Sequence, residues 1–235
     1  GPNFSPTGIC VTFPSGTDIF VSRISASGGD LLASTFIGGE GNDGLNISPA
    51  LKYNYADEVR GEIDIDQQNN VYIATSTNSP DFPIVNGIQN TLKGDQDGCV
   101  VKMDNQLSSI VWSTYIGGSN DDAIYSLALD TNDNIYVTGG TNSMNLPVST
   151  NAYQNTLQDT VNPDAFITKI SSNGNQIISA SYFGSNQYDQ AYFIELGNDN
   201  LIYLFGQTES SGVQLVNNAT YHVSGGGQFI AVFSA

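Results

Sequence analysis

Apolar and polar residues alternate in short runs along this chain, and the runs recur in register. Asp18-Ile-Phe-Val-Ser-Arg23, Asp97-Gly-Cys-Val-Val-Lys102 and Asp164-Ala-Phe-Ile-Thr-Lys169 each begin 20 positions before a glycine closing a second phrase. Those second phrases are Ser34-Thr-Phe-Ile-Gly38, Ser113-Thr-Tyr-Ile-Gly117 and Ala180-Ser-Tyr-Phe-Gly184. Five residues after each glycine stands an aspartate, Asp43, Asp122 or Asp189. A third phrase follows as Val71-Tyr-Ile-Ala-Thr-Ser-Thr77, Ile135-Tyr-Val-Thr-Gly-Gly-Thr141 and Ile202-Tyr-Leu-Phe-Gly-Gln-Thr208. The runs are short, rich in Val, Ile, Tyr, Phe and Thr, and bounded by Gly, Asn, Asp and Ser, which is strand chemistry; a helical period is absent almost throughout.

In the second copy the pattern predicts strands over 99–103, 110–116, 126–130 and 135–139, with turns at 105–106, 117–121 and 131–134. Four antiparallel strands repeated at a fixed period predict an all-β fold, a β-propeller of four-stranded blades, none of which can bury its apolar faces alone. A sandwich also has many short strands, but not a strict repeat. The copies span about 17–83, 97–147 and 164–210, with a fourth beginning at 227–235, so the whole of 1–235 reads as one domain. Further strands are expected at 8–13 and 228–233. If these two share a blade, the ring closes with four blades; otherwise the chain is part of a larger ring.

The spacing from glycine to the tyrosine of the third phrase is 19 in the second and third copies (117 to 136, 184 to 203) and 34 in the first (38 to 72). The first copy therefore carries 15 extra residues, an insertion at about 45–62.

Six Lys and Arg against 23 Asp and Glu give a formal charge of −17, which argues against nucleic acid and anionic lipid as partners and suits another protein or a neutral cell-surface glycan. No apolar run reaches the roughly 18 residues that span a bilayer, so direct membrane insertion is not expected. Cys10 and Cys99 occupy different positions of the repeat and read as free, buried thiols. Gly1-Pro2 resembles the remnant a protease leaves on a recombinant chain. Few lysines and abundant Asn, Ser, Thr and Gly have the look of an extracellular protein.

The run Asp97 to Lys102, Ser113-Thr-Tyr-Ile-Gly-Gly118, Asp122, Asp130 with Asn134-Ile-Tyr-Val-Thr-Gly139, and Thr141-Asn-Ser143 with Leu146-Pro147 resembles the SBBP β-propeller repeat of large secreted and surface proteins of Bacteroidetes. Thr77-Asn-Ser79 with Phe82-Pro83 matches it in the first copy; the third copy lacks the Phe-Pro and the second glycine. The resemblance covers about 17–234 and implies an extracellular, non-catalytic module joined to flanking domains of a parent chain, of the kind often exported by type 9 secretion.

Three sets of residues are candidates for chemistry. Arg23, Lys102 and Lys169 occupy one repeat position, and pairing with Asp43, Asp122 and Asp189 is the expected role, with a cation-lined mouth as the alternative. Carboxylates at Asp43, Asp121, Asp122, Asp64 and Asp66 are weak candidates for Ca2+, since hard cations take clustered oxygens; the same residue types also cap tight turns. No cofactor is otherwise expected. The insertion supplies Lys52, Tyr53, Tyr55, Asp57, Glu58 and Arg60, aromatic area with both signs of charge on a connecting loop, and reads either as a binding site or as a plug packed on the blades.

Catalysis has little support. The single histidine, His222, lies in a weakly patterned stretch with no nucleophile motif beside it, and Glu58 with Glu62 is one pair among 23 acids. The expected function is a non-enzymatic adhesion or protein-interaction module; a lectin-like propeller and, further off, a polysaccharide-degrading enzyme are the alternatives.

Overall fold

The computed structural model describes residues 16–211, 215, 225 and 227–234. Among these residues are thirteen strands and one short 3-10 helix. The first sheet holds β1 (Ile19–Ile24) and β2 (Leu31–Ile37); the second is β3 (Glu62–Ile65), β4 (Val71–Thr77), β5 (Asp97–Met103) and β6 (Ile110–Ile116). The third is β7 (Asp122–Leu129), β8 (Ile135–Thr141), β9 (Asp164–Ile170) and β10 (Ile177–Phe183), and the last is β11 (Asp189–Leu196), β12 (Leu201–Thr208) and β13 (Gln228–Ser234). All neighbours are antiparallel and consecutive in sequence, so each complete sheet is a four-stranded meander: the blade of a β-propeller. The expected strand at 228–233 is β13, third strand of the last sheet. Cys10, His222 and the strand expected at 8–13 lie outside the described residues.

One expectation about the blades needs correcting. The repeat phrase does not coincide with a blade. The strands at 97–103 and 110–116 close the second sheet, whereas those at 122–129 and 135–141 open the third. The five residues 117–121 between β6 and β7 carry the chain across to begin the next blade, held there by Asp122, whose Oδ2 accepts from the Gly118 amide and the Ser143 hydroxyl. The long 78–96 segment instead lets β5 come back beside β4.

Alternating residues of each sheet face opposite neighbours, which generates three layers of core. Cys99, Met103, Ile110 and Tyr115 pack with Val21 and Ile37 between the first and second sheets. Tyr72, Val100, Trp112 and Ile116 meet Ile124, Leu127, Phe166, Ile170 and Tyr182 between the second and third. Tyr136, Ile167 and Phe183 meet Ile194, Leu204 and Phe229 between the third and the last. Trp112 is the largest of the fully buried side chains, and its indole N–H donates across the blade boundary to the Ser172 carbonyl at 3.1 Å, so the ring enters the core without an orphaned donor. The free thiol of Cys99 is buried in the first of these layers, where burial pushes it well up from its ordinary value.

The repeated cations are placed by the strand register. Lys102 lies opposite Tyr72, and Lys169 opposite Tyr136. Each ammonium sits 4.7 Å from its tyrosine ring and bonds the aspartate of the preceding turn, Lys102 to Asp66 at 3.2 Å and Lys169 to Asp130 at 3.3 Å. The predicted pairing with Asp43, Asp122 and Asp189 is therefore corrected. Asp122 opens β7 and Asp130 follows its end, about 25 Å away for an eight-residue strand, and the lysines belong to the Asp130 end. Arg23 departs from both lysines because β1 has no β4-type neighbour among the described residues; it donates to the Asn105 carbonyl at 2.7 Å in an exposed position. Asp66 also accepts from the Gln68 and Asn70 backbone and from the Asn70 side chain. Burial works to raise its carboxyl, yet the Asn70 donors and the Lys102 ammonium outweigh it and hold the group below the ordinary carboxylate range. Lys102→Met is expected to cost about 2 kcal/mol by leaving Asp66 without its cation, while Arg23→Met stays within about 0.5 kcal/mol. Urea denaturation of the two variants measures the contrast.

Candidate functional site

The insertion runs from the end of β2 to β3 and lies against β7 and β11, the first strands of the third and last sheets. Its local fold is set by Asn54, whose side chain accepts from the Ala56 amide, and by Asp57, whose Oδ2 accepts from the amides of Tyr53 at 2.8 Å and Asn54 at 3.0 Å. This reciprocal cap starts the 3-10 helix Tyr55–Val59.

Three buried groups fasten it. Leu51 is fully buried against Ala123, Tyr125 and Tyr192. Its carbonyl accepts from the Tyr125 hydroxyl at 2.8 Å and from Gln190 at 3.3 Å. Asn46 is bound through its side chain to Leu51, Asp57, Tyr125 and Gln96. Asp57 accepts from Arg60 at 3.2 Å and from the Tyr192 hydroxyl at 3.3 Å, and the Arg60 guanidinium lies 4.2 Å from the centre of the Tyr192 ring. Tyr125 and Tyr192 can reach the insertion because each sits where the ladder skips a residue, between Ile124 and Ser126 on β7 and between Ala191 and Phe193 on β11. Such a bulge re-aims the side chain out of the ordinary alternation.

The remaining predicted residues divide by exposure. Tyr55 is 93% exposed and Val59 70%, on consecutive turns of one short helix. Tyr53 is half-exposed, with its ring 4.8 Å from Tyr188 and its hydroxyl pushed up by a hydrogen bond to Glu209. Lys52 and Glu58 form a loose surface pair at 3.7 Å. The structure thus brings Tyr53, Tyr55, Asp57, Glu58, Lys52 and Arg60 into one unit, Asp57 and Arg60 inside and the others outward. Glu62 is separate from Glu58 in role: it binds the Ser126 hydroxyl and, at 2.9 Å, the Leu127 amide, tying β3 to β7.

The predicted metal candidates do not converge. Among the described residues no three His, Cys, Asp or Glu side chains gather as a metal-binding group. Asp64 is half-buried and accepts from the Ile65 amide, Asp66 caps its turn, and Asp121 accepts from Ser48 at 2.5 Å, which joins the insertion to the third blade. Asp43 and Asp122 belong to a repeated clasp at the blade junctions. Oδ2 of Asp122 accepts from the Gly118 amide at 2.6 Å and the Ser143 hydroxyl at 2.8 Å; Oδ2 of Asp43 does the same with Gly39 and Ser79, both at 2.8 Å. Oδ2 of Asp189 takes both donors from Ser185. The serine of each Thr-x-Ser phrase donates its amide back to the threonine hydroxyl, Ser79 to Thr77, Ser143 to Thr141 and Ser210 to Thr208. A second aspartate, Asp97 or Asp164, stands against the glycine one residue earlier, Gly117 or Gly184, and is bound by Gln89 or Gln154 at 2.6 Å. Donors surround these carboxylates, an arrangement that fixes the chain crossing from one blade to the next. Gln89 and Gln154 were legible as a further repeated phrase, Gly87-Ile-Gln-Asn-Thr-Leu92 against Ala152-Tyr-Gln-Asn-Thr-Leu157.

Residues 111–147 match the family model SBBP, a beta-propeller repeat. That segment crosses from β6 through β7 and β8 to Leu146-Pro147, so the family unit, like the repeat phrase, straddles a blade boundary. No curated protein matches the chain.

Proposed function

We propose that this β-propeller segment is a non-catalytic binding and scaffold module, acting outside the cell or at its surface, and that the exposed half of the insertion is its contact surface for another protein. The observation that carries this reading is the division within 15 extra residues. Leu51, Asn46 and Asp57 lock the insertion onto β7 and β11, and that rigid base holds out Tyr55 and Val59. Binding energy concentrates on aromatic anchors whose ordering is completed before the partner arrives. A structural plug alone would have no use for an apolar pair facing solvent. The acidic chain favours a partner surface with basic residues around an apolar centre. Secretion by a type 9 route in a bacterium of the Bacteroidetes, and a role in adhesion, follow from the likeness of the repeats and are part of the proposal.

The test is attachment of the fluorescently labelled chain to intact cells of the source organism. Tyr55→Ser with Val59→Ser is expected to reduce attachment at least tenfold while leaving thermal stability unchanged, because neither side chain belongs to the core; Arg23→Ser is the surface control. Equal attachment of the double variant overturns the site. Loss of attachment in the presence of soluble cell-surface polysaccharide, with the variant unaffected, would favour the lectin reading instead.

A further inference from the structure

Where the second sheet meets the third, the connections around the strands leave an open cleft of about 380 Å3. It is lined by Lys93 and Asp95 ahead of β5, Asp121 in the β6–β7 turn, Asn142 after β8, and Thr160 with Val161 ahead of β9. The backbone carrying these residues is fixed. The Asn142 amide donates to the Asp121 carbonyl at 3.0 Å, the Asn120 side chain donates to the Asn142 carbonyl at 2.9 Å, and Asp121 Oδ2 accepts from Ser48 of the insertion. At Gly94 the two connections approach so closely that a methyl group would lie 2.1 Å from the Asn120 carbonyl oxygen.

Departures from the repeat meet at this cleft. The step from Gln89 to Asp97 is eight residues and that from Gln154 to Asp164 is ten, and Thr160 and Val161 lie in the longer step. Asp159 pins them there, accepting from the Val161 amide at 3.0 Å and the Asn162 side chain at 2.9 Å. Asn78 and Asn142 share one repeat position, yet the Asn78 side-chain oxygen accepts from the Asn42 amide, whereas the Asn142 side chain has no partner among the described residues. Asp121 stands where the first copy has Asn42 and the third Tyr188. The side chains of Lys93, Asp95 and Thr160, and Oδ1 of Asp121, likewise have no hydrogen bond or ion pair among the described residues. A junction whose counterpart is closed internally thus leaves its donors and acceptors turned to the cleft.

We propose that this cleft binds a neutral sugar residue, a site additional to the Tyr55 and Val59 surface and independent of it. The volume is at the low end of small-ligand clefts, about 300–1,000 Å3, but the lining is polar where such clefts are mostly apolar, which suits a polyol. Lys93 beside Asp95 and Asp121 sets both signs of charge around one space, so a ligand of either net charge meets repulsion. Sugar hydroxyls donate and accept at once. They satisfy the two carboxylates as donors, the ammonium as acceptors, and the Asn142 amide and Thr160 hydroxyl in either sense. Val161, 76% exposed, offers apolar area to the C–H face of the ring.

Titration of the isotope-labelled chain with the methyl glycosides of galactose, glucose, mannose and N-acetylglucosamine, followed by amide resonances, reads the result. At least one glycoside is expected to move the Gly94, Asn120, Asp121 and Asn142 amides saturably, with a Kd on the order of 1 mM. Asn142→Ala and Asp95→Asn, which break no bond within the fold, are each expected to weaken that binding at least tenfold with unchanged circular dichroism and melting temperature. Tyr55→Ser with Val59→Ser should bind the sugar as the parent chain does, so the cleft is tested apart from the insertion. Unmoved amides at roughly 50 mM of every glycoside, far above a millimolar Kd, overturn the proposal, as does undiminished binding by both cleft variants. Shifts of the same amides by calcium chloride or N-acetyl-lysinamide, with none from any sugar, overturn it in favour of a cation.

Discussion

Gly117→Ala is expected to destabilise the propeller by about 3 kcal/mol or more, the scale of an overpacked core in which polar groups are also displaced. A methyl group at this position would lie 2.6 Å from the Asp97 carboxyl carbon and 2.7 Å from Asp122 Oδ2, both on fully buried side chains. Neither can withdraw without breaking other bonds. Asp97 is held by Gln89 and the Lys93 amide, and Asp122 by Gly118 and Ser143. At about 2–4 °C per kcal/mol for a chain of this size, the melting temperature should fall by roughly 10 °C. Gly29→Ala is the control: its new methyl would meet nothing closer than Ser27 Oγ at 3.5 Å, and no change in melting temperature is expected.

The second large effect concerns pH. Burial pushes the carboxyls of Asp122 and Asp164 up to about 7, against the hydroxyl and amide donors that would lower them, and raises Asp43, Asp97 and Asp189 in the same direction. Oδ1 of Asp164 is buried without a hydrogen-bond partner, as suits a protonated carboxyl. A carboxyl with a folded-state pKa above its unfolded value keeps its proton in the native state after the unfolded chain has released it. Its contribution to stability is thus complete below about pH 4 and is lost as pH rises through about 7. For Asp122 the loss amounts to about 2–4 kcal/mol. Asp66, Asp104 and Asp130 act oppositely, since donors around them outweigh burial and hold them low, so acid below their ordinary range removes stability. Stability is therefore expected to be greatest near pH 4–5 and to decline toward pH 8. Asp122→Asn, which mimics the protonated side chain, should flatten much of that decline, visible as a smaller gap between melting temperatures at pH 5 and pH 8.

Strand positions were legible because each phrase alternates over a half-buried or fully buried sheet: ten of the thirteen observed strands fall on the repeated phrases, while β3, β7 and β11 lie between them and β7 spans Asp122–Leu129 where 126–130 was expected. Blade boundaries were not. The phrase from Asp97 to Thr141 recurs as a unit in sequence, but connections of equal length, 117–121 between β6 and β7 and 130–134 between β7 and β8, in one case cross to the next blade and in the other turn back, and the apolar pattern does not tell them apart. The lysine pairing failed for a related reason. Asp122 and Asp130 are both repeated near Lys169, and only the strand register, which sets Lys169 beside Tyr136, decides between them. The insertion stood out by spacing alone, 34 residues against 19. Its division into a buried and an exposed half did not, because Leu51 is anchored by Tyr125 and Tyr192, whose inward aim comes from bulges with no mark in the local sequence.

The insertion is a fixed part of the propeller that carries an outward surface, and not a free loop. Amide hydrogen exchange of the stretch 46–58 measures this most directly. The Asn46 amide bonds the Glu58 carbonyl, the Asp57 amide the Asn54 carbonyl and the Tyr53 amide the Asp57 carboxylate, so these sites are predicted to exchange as slowly as those of β7, on which they rest. Exchange as fast as that of the exposed turn at 105–108 would contradict it.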